Sequence, residues 1–221
     1  MKRLVLALLL FVAGCGSVPF RETPAVPTVQ KSAAELAAGL WTKGRDTLLL
    51  RQSALFELRG MKVPLDGIMK LDPVRKTARL VGMNDLGVKL YDISVDREKT
   101  TPHSIIPDLA KYPGFADAVG TSVRRIFLSP EPLPSDRLKT GSDSYELTRS
   151  EGDKMLRFLL GGPEAQLLEK SSKGGGESWR VRYYQYERLQ GIPVPTGIVL
   201  DDSEAGYRLT LWIESVEKTD E

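Results

Sequence analysis

The chain has 221 residues, with 31 basic and 29 acidic side chains, a formal charge of +2, one histidine and one cysteine. So even a balance supplies no basic stripe for a nucleic-acid partner, a lone histidine excludes a multi-histidine metal centre, and a lone cysteine excludes an intramolecular disulfide. A hydrophobic content of 41% suits a globular domain, and no cofactor is expected.

Lys2 and Arg3 precede an uncharged apolar run from Leu4 to Val12. At about 1.5 Å of helix rise per residue the run falls far short of a hydrocarbon core of about 30 Å. A basic start, a short apolar stretch and small residues describe a secretory signal instead. The end of the run, Val12-Ala13-Gly14-Cys15, resembles the lipobox of bacterial lipoproteins. That resemblance implies that residues 1–14 are removed and that Cys15 carries a diacylglycerol, with an acyl chain such as palmitate on the new amino terminus. Gly16 stands where aspartate marks inner-membrane retention in enterobacterial sorting, which implies a lipid anchor in the outer membrane, on its periplasmic face. A secreted protein with a stray cysteine is the alternative.

Residues 15–30 include Pro19, Pro24 and Pro27 among small and polar residues and read as a flexible tether spanning at most about 50 Å. A single domain is expected over 31–221. It opens with a helix, since Ser32 and Glu35 form a capping box and Leu36, Leu40 and Trp41 follow at helical spacing. Gly44 is expected to end that helix. From Thr47 the period changes to two, predicting strands around 48–58, 63–71, 76–83 and 88–95, the last two joined by the turn Asn84-Asp85-Leu86-Gly87.

Pro102, Pro107 and Pro113 then predict a loop with a short helix near 107–111. Phe115, Val119, Val123, Ile126 and Phe127 share one face of an amphipathic helix, which Pro130, Pro132 and Pro134 stop. Strands resume at 144–149, 155–160, 165–170, 177–189, 196–200 and 207–216, with Gly174-Gly175-Gly176 at a hairpin tip. The sum is about ten strands. The expected fold class is mainly β with inserted helices (α+β), a strongly curved antiparallel sheet or incomplete barrel closed by helices.

Catalytic sets are scarce. His103 lies in a proline-rich loop without a nucleophile elbow and reads as a surface residue. Asp201-Asp202 reads as a turn, and Asp92 and Asp96 as solvent-facing strand positions. No enzymatic activity is expected. The prominent feature is an apolar strand face. Trp179, Val181 and Tyr183 alternate with Arg180, Arg182 and Tyr184, while Tyr207, Leu209, Leu211 and Ile213 alternate with Arg208, Thr210 and Trp212. Such faces either fill a core or line a cavity for a hydrophobic ligand.

The helix, meander and helical inserts, followed by Trp179-Arg180-Val181-Arg182-Tyr183-Tyr184-Gln185-Tyr186, a proline-bearing strand at 192–200 and a final alternating strand at 207–213, resemble the LolA/LolB lipoprotein-localisation superfamily. The resemblance implies an incomplete barrel capped by helices, with a cavity for the acyl chains of lipid or lipoprotein cargo. The cavity residues would be Trp41, Phe56, Leu65, Met69, Leu80, Phe115, Val119, Phe127, Phe158, Trp179, Tyr183, Leu209 and Leu211. It also implies that Leu86, on its turn, would deliver cargo to the membrane, with a periplasmic carrier protein as a partner. Asp85 in place of proline, Asp92 in a wall strand and the proline-dense stretch 129–134 depart from the family pattern. A structural lipoprotein with a filled core and a protein partner is the other reading.

Overall fold

The computed structural model describes residues 18–44 and 46–219; Cys15 and the expected signal lie outside them. The first helix, α1 (Ala33–Ala38), starts where Ser32 accepts the Glu35 backbone N–H at 3.2 Å and Glu35 accepts the Ser32 N–H at 2.7 Å. It ends five residues earlier than expected. Gly39, not Gly44, is its C-cap, because the chain must bend there to bring Leu40 and Trp41 into the core, the latter in a separate 3₁₀ turn (Trp41–Lys43).

The rest is mostly one antiparallel sheet: β1 (Thr47–Leu58), β2 (Met61–Asp72), β3 (Thr77–Met83), β4 (Lys89–Val95), β5 (Thr100–Ile105), β6 (Arg137–Thr140), β7 (Ser144–Glu151), β8 (Lys154–Gly161), β9 (Gln166–Gly174), β10 (Glu177–Leu189), β11 (Ile192–Asp202) and β12 (Tyr207–Thr219). Its strand order, β5-β4-β3-β2-β1-β12-β11-β10-β9-β8-β7-β6, leaves β5 and β6 as free edges. Between them run α2 (Pro107–Ala110), α3 (Phe115–Val123) and a π-helical turn (Arg124–Leu128) that continues α3.

Twelve strands laid flat would span about 50 Å. Yet Ile93 on β4 and Leu147 on β7, each one strand in from an edge, belong to the same apolar cluster. The sheet therefore curls into an unclosed barrel. Bulges at Arg51/Gln52, Gly82/Met83, Asp92/Ile93 and Leu159/Leu160 add the local twist that such curling needs.

The two strands that sequence patterning missed, β5 and β6, are the two edges. Pro102 sits in β5, where a missing N–H is tolerated because one side of the strand pairs with nothing. Pro64, Pro193 and Pro195 follow the same rule, lying beyond the stretches in which β2 pairs with β3 and β11 with β12. The chain that precedes α1 is laid against the sheet. Phe20 packs over Gly197 on the outer face, with ring centroids 5.7 Å from Tyr184 and 5.4 Å from Trp212. Further on, Thr28 bonds to Gly141 and Ser142, and Val29 exchanges bonds with the Tyr145 hydroxyl at 2.9 and 2.6 Å.

Gly82 on β3 faces Tyr91 on β4, and a Cβ there would overlap the buried tyrosine ring. Gly82→Ala is expected to lower stability by about 1–3 kcal/mol through overpacking. The readout is a lower urea midpoint at constant slope; an unchanged midpoint would contradict it.

Candidate functional site

The inner face of the sheet passes from sealed to half-open along its strands. Near the β2–β3 turn, Leu48, Leu50, Met69, Leu71, Ile93 and Val95 are buried. Toward the β1–β2 turn, Ala54, Phe56 and Leu58 on β1, Val63 and Leu65 on β2, and Leu209 on β12 are only half-buried, and Met61 is exposed. These positions adjoin one another by register, with Phe56 between Val63 and Leu209 and Ala54 opposite Leu65.

The insert between the two sheet edges covers this face unevenly. Its first part is lightly held. No α2 residue is buried, Tyr112 is 61% exposed, and Phe115, Ala116 and Val119 are half-buried. Phe115 stands edge-on to Tyr91 with ring centroids 5.4 Å apart. Burial pushes the Tyr91 hydroxyl up to about 12.

The later part is firmly bonded. Gly120 lets α3 press onto Thr100, whose side chain a Cβ would overlap. Ser122 Oγ lies 2.8 Å from the Tyr207 hydroxyl, Arg124 donates to Asp96 O and Thr100 Oγ1, and Arg125 pairs with Asp202. Tyr183 donates to Ile126 O at 2.7 Å, and burial raises its hydroxyl pKa well above the ordinary value. The π-helical turn thus belongs to the anchored rear, which begins at Gly120 and Ser122, and is a register irregularity of the kind often found where function resides.

This arrangement divides the residues singled out from sequence. Trp41, Met69, Leu80, Phe127, Phe158, Trp179, Tyr183 and Leu211 are buried in one core, with Trp41 edge-on to Phe127 at 6.0 Å. Phe56, Phe115, Val119 and Leu209 lie at its half-open margin, and Leu65 is half-exposed beside them. Leu86 projects from its turn at 81% exposure, while Asn84 Oδ1 accepts from the Leu86 and Val88 N–H groups. Sequence reasoning missed the anchors Tyr91, Ser122 and Arg125. Their pairing spans from nine to more than eighty positions, and no local period announces it.

The polar candidates resolve into other roles. His103 is exposed on β5 rather than in a loop, with Nε2 2.7 Å from Ser94 Oγ. Asp92, the nearby carboxylate, is taken by Arg79 through bonds of 2.9 Å to each oxygen. That pairing buries Asp92 on the outer face, where a solvated side chain was expected. Asp202 turns the chain by accepting from Glu204 and Ala205 N–H groups while holding Arg125. Among the described residues no cluster of three or more His, Cys, Asp or Glu side chains could hold a metal ion.

Near the sealed end, Glu131 receives Lys43 and Lys76, each at 2.8 Å, and Thr42 at 3.2 Å. Burial works to raise its carboxyl pKa, but the two lysines outweigh burial and hold it low. Lys170 donates to Pro130 O at 3.2 Å, and burial pushes its ammonium down to about 7 against the pull of Glu131.

No family model matches the chain, and no curated protein matches it. Among solved structures it is similar to a LolA superfamily protein from Nitrosomonas europaea, at 10% identity and a TM-score of 0.55 over 87% of this chain and 96% of the other. A DUF1329 family protein from Desulfovibrio piger aligns at 10% identity and 0.52, over 84% and 91%. A domain from Vibrio parahaemolyticus assigned to outer membrane lipoprotein sorting aligns at 9% identity and 0.54, over 84% and 89%. Identity this low speaks for the fold alone, and the fold is LolA-like: a mostly β, unclosed antiparallel sheet with a few short helices.

Because the folded state lowers the Lys170 pKa, the unfolded chain binds more protons between about pH 7 and the ordinary lysine value. Stability is therefore expected to rise with pH above about 7, by at most about 1.4 kcal/mol per unit. Lys170→Met should raise stability at pH 7 and flatten that rise. Urea unfolding of both proteins at pH 7 and pH 9 checks this, and identical slopes against pH would refute it.

Proposed function

We propose that the protein is a membrane-anchored binder of acyl chains, taking those of lipid or lipoprotein cargo against the half-open inner face beneath α2 and α3. One observation carries this reading. The apolar inner face does not end in polar residues at the β1–β2 end but in only partly buried Phe56, Leu58, Leu65 and Leu209, and the front of the cover itself buries little.

A side chain that is half-buried has gained only part of the roughly 1.5–3 kcal/mol available to it. An acyl chain offers about 0.8 kcal/mol for each methylene it buries. Entry of such a chain can thus repay the loss of the Phe115–Tyr91 contact, while the bonds at Ser122, Arg124, Arg125 and Ile126 keep the rear of the cover in place. The likeness to a LolA superfamily protein and to a lipoprotein-sorting domain supports the same reading.

Lipidation of Cys15 would complete it, setting the protein in the outer membrane on its periplasmic face. Phe20 lies five chain steps beyond Cys15, a reach of about 17 Å, so the outer face of β10–β12 would sit close to the bilayer. Leu86, exposed on the β3–β4 turn, would give cargo up to the membrane, with a periplasmic carrier protein as the donor. Binding and release need no bond chemistry, so the function is not enzymatic.

The filled interior gives the second reading its support. Met69, Leu71, Phe158 and Leu160 are fully buried, as in a scaffold that docks a partner on its outer surface.

Mass spectrometry of lipid co-purifying with the protein, together with uptake of a fluorescent fatty acid, separates the two. The carrier reading expects bound lipid, and expects Val119→Glu to weaken fatty-acid uptake at least about tenfold through burial of an unpaired charge. Leu86→Glu should leave uptake intact and reduce transfer to vesicles. Absence of bound lipid together with no uptake by the wild type would favour the scaffold.

A further inference from the structure

The rear of the cover borders a second feature, of opposite character. Where the π-helical turn meets the β4–β5 turn and the β7–β8 end of the sheet, an open cleft of about 520 Å³ is lined by Arg97, Arg124, Arg125, Arg149, Lys154 and Trp179, among others.

The carboxylates of this cleft are already engaged. Glu131 holds Lys43 and Lys76, Glu151 holds Arg149 Nε at 2.7 Å, and Glu177 holds Lys154 at 3.3 Å and Arg125 at 3.8 Å. Two cations remain without a carboxylate bond. Arg124 is spent on neutral oxygens, those of Asp96 O and Thr100 Oγ1, while the Asp96 carboxylate accepts the Glu98 and Lys99 N–H groups. Arg97 is exposed and makes no hydrogen bond or ion pair among the described residues.

A third observation is independent of charge. Trp179 is 4% exposed, yet its indole Nε1 finds no hydrogen-bond partner, and the Arg125 guanidinium lies 5.1 Å from its ring centroid. An indole nitrogen can only donate, and a buried donor left unpaired costs about 1–3 kcal/mol. Surplus guanidinium groups lining one cleft, with an unpaired indole donor buried in its wall, call for an acceptor with several charged oxygens. Guanidinium forks match phosphate through paired N–H···O bonds.

The geometry points to a phosphate-binding site in this cleft, in which Arg97 and Arg124 bind the oxygens of a phosphate group and Trp179 supplies a further donor. The phosphate belongs either to a lipid headgroup or to free phosphate. This inference stands independently of acyl-chain uptake, since it concerns the opposite end of the cover from Phe115.

Calorimetric titration of the full-length protein with inorganic phosphate and, separately, with short-chain dihexanoyl-phosphatidylglycerol tests it. Binding of either probe that falls at least about tenfold in Arg97→Gln, and falls also in Trp179→Phe, supports the site. Arg97 has no structural bonds to lose, so a folding defect does not confuse that variant. Inorganic phosphate binding identifies free phosphate, and binding of the lipid alone identifies a headgroup. Failure of both probes to bind overturns the site. So does binding that neither substitution weakens, or that Arg51→Gln, a remote exposed arginine on β1, weakens equally. Fatty-acid uptake should be unchanged in Arg97→Gln, so that failure here and failure of the acyl-binding reading are told apart.

Discussion

A twelve-stranded sheet that curls but does not close has two needs at once, and the chain meets both with one segment. Its inner face is apolar and must be covered, and its two edges, β5 and β6, present unpaired backbone groups. The segment joining those edges is the insert of α2, α3 and the π-helical turn. Leaving one edge, crossing the inner face and returning to the other, it buries Val123, Ile126, Phe127 and Leu128. The short β6 and the proline in β5 blunt what the insert leaves open.

The cover is graded in strength because its partners are. At the rear, hydroxyls of β5, β10 and β12 and the Asp202 carboxylate of β11 reach it, and each such bond contributes about 0.5–1.5 kcal/mol net, more where charge is involved. At the front, one aromatic contact and a few half-buried side chains hold α3, and α2 is held by less. Motion is thus cheapest where the apolar face is least sealed. The same rear anchors border a cleft rich in arginine, so an oily margin and a cationic cleft flank a single helix. Amphiphilic ligands carry those two chemistries on one molecule.

Much of the fold was legible because its signals are local. Ser32 and Glu35 announced α1. The alternation of Trp179, Val181 and Tyr183 with Arg180, Arg182 and Tyr184 placed the first three in the core and Tyr184 outside, under Phe20. The glycines at 174–176 marked the β9–β10 tip, all with positive φ. What escaped notice lacked a face to alternate. Thr100–Ile105 and Arg137–Thr140 pair on one side only and carry few core residues, so the period-two signal that burial writes into a strand is missing. Gly44 looked like a helix stop because nothing local reveals that Leu40 and Trp41 must turn inward sooner.

By itself the sequence determined the inner strands and their faces and the mainly β class, since a period of two under burial admits few other arrangements. Only the tertiary structure decided which of those apolar side chains are sealed and which remain half-open, because that depends on where the insert lies across the sheet. It alone brought Arg97 and Arg124 into one cleft with Trp179, which lies more than fifty positions further along the chain. Such meetings are fixed by the curl of the sheet and the path of its cover, and no spacing along the chain encodes them.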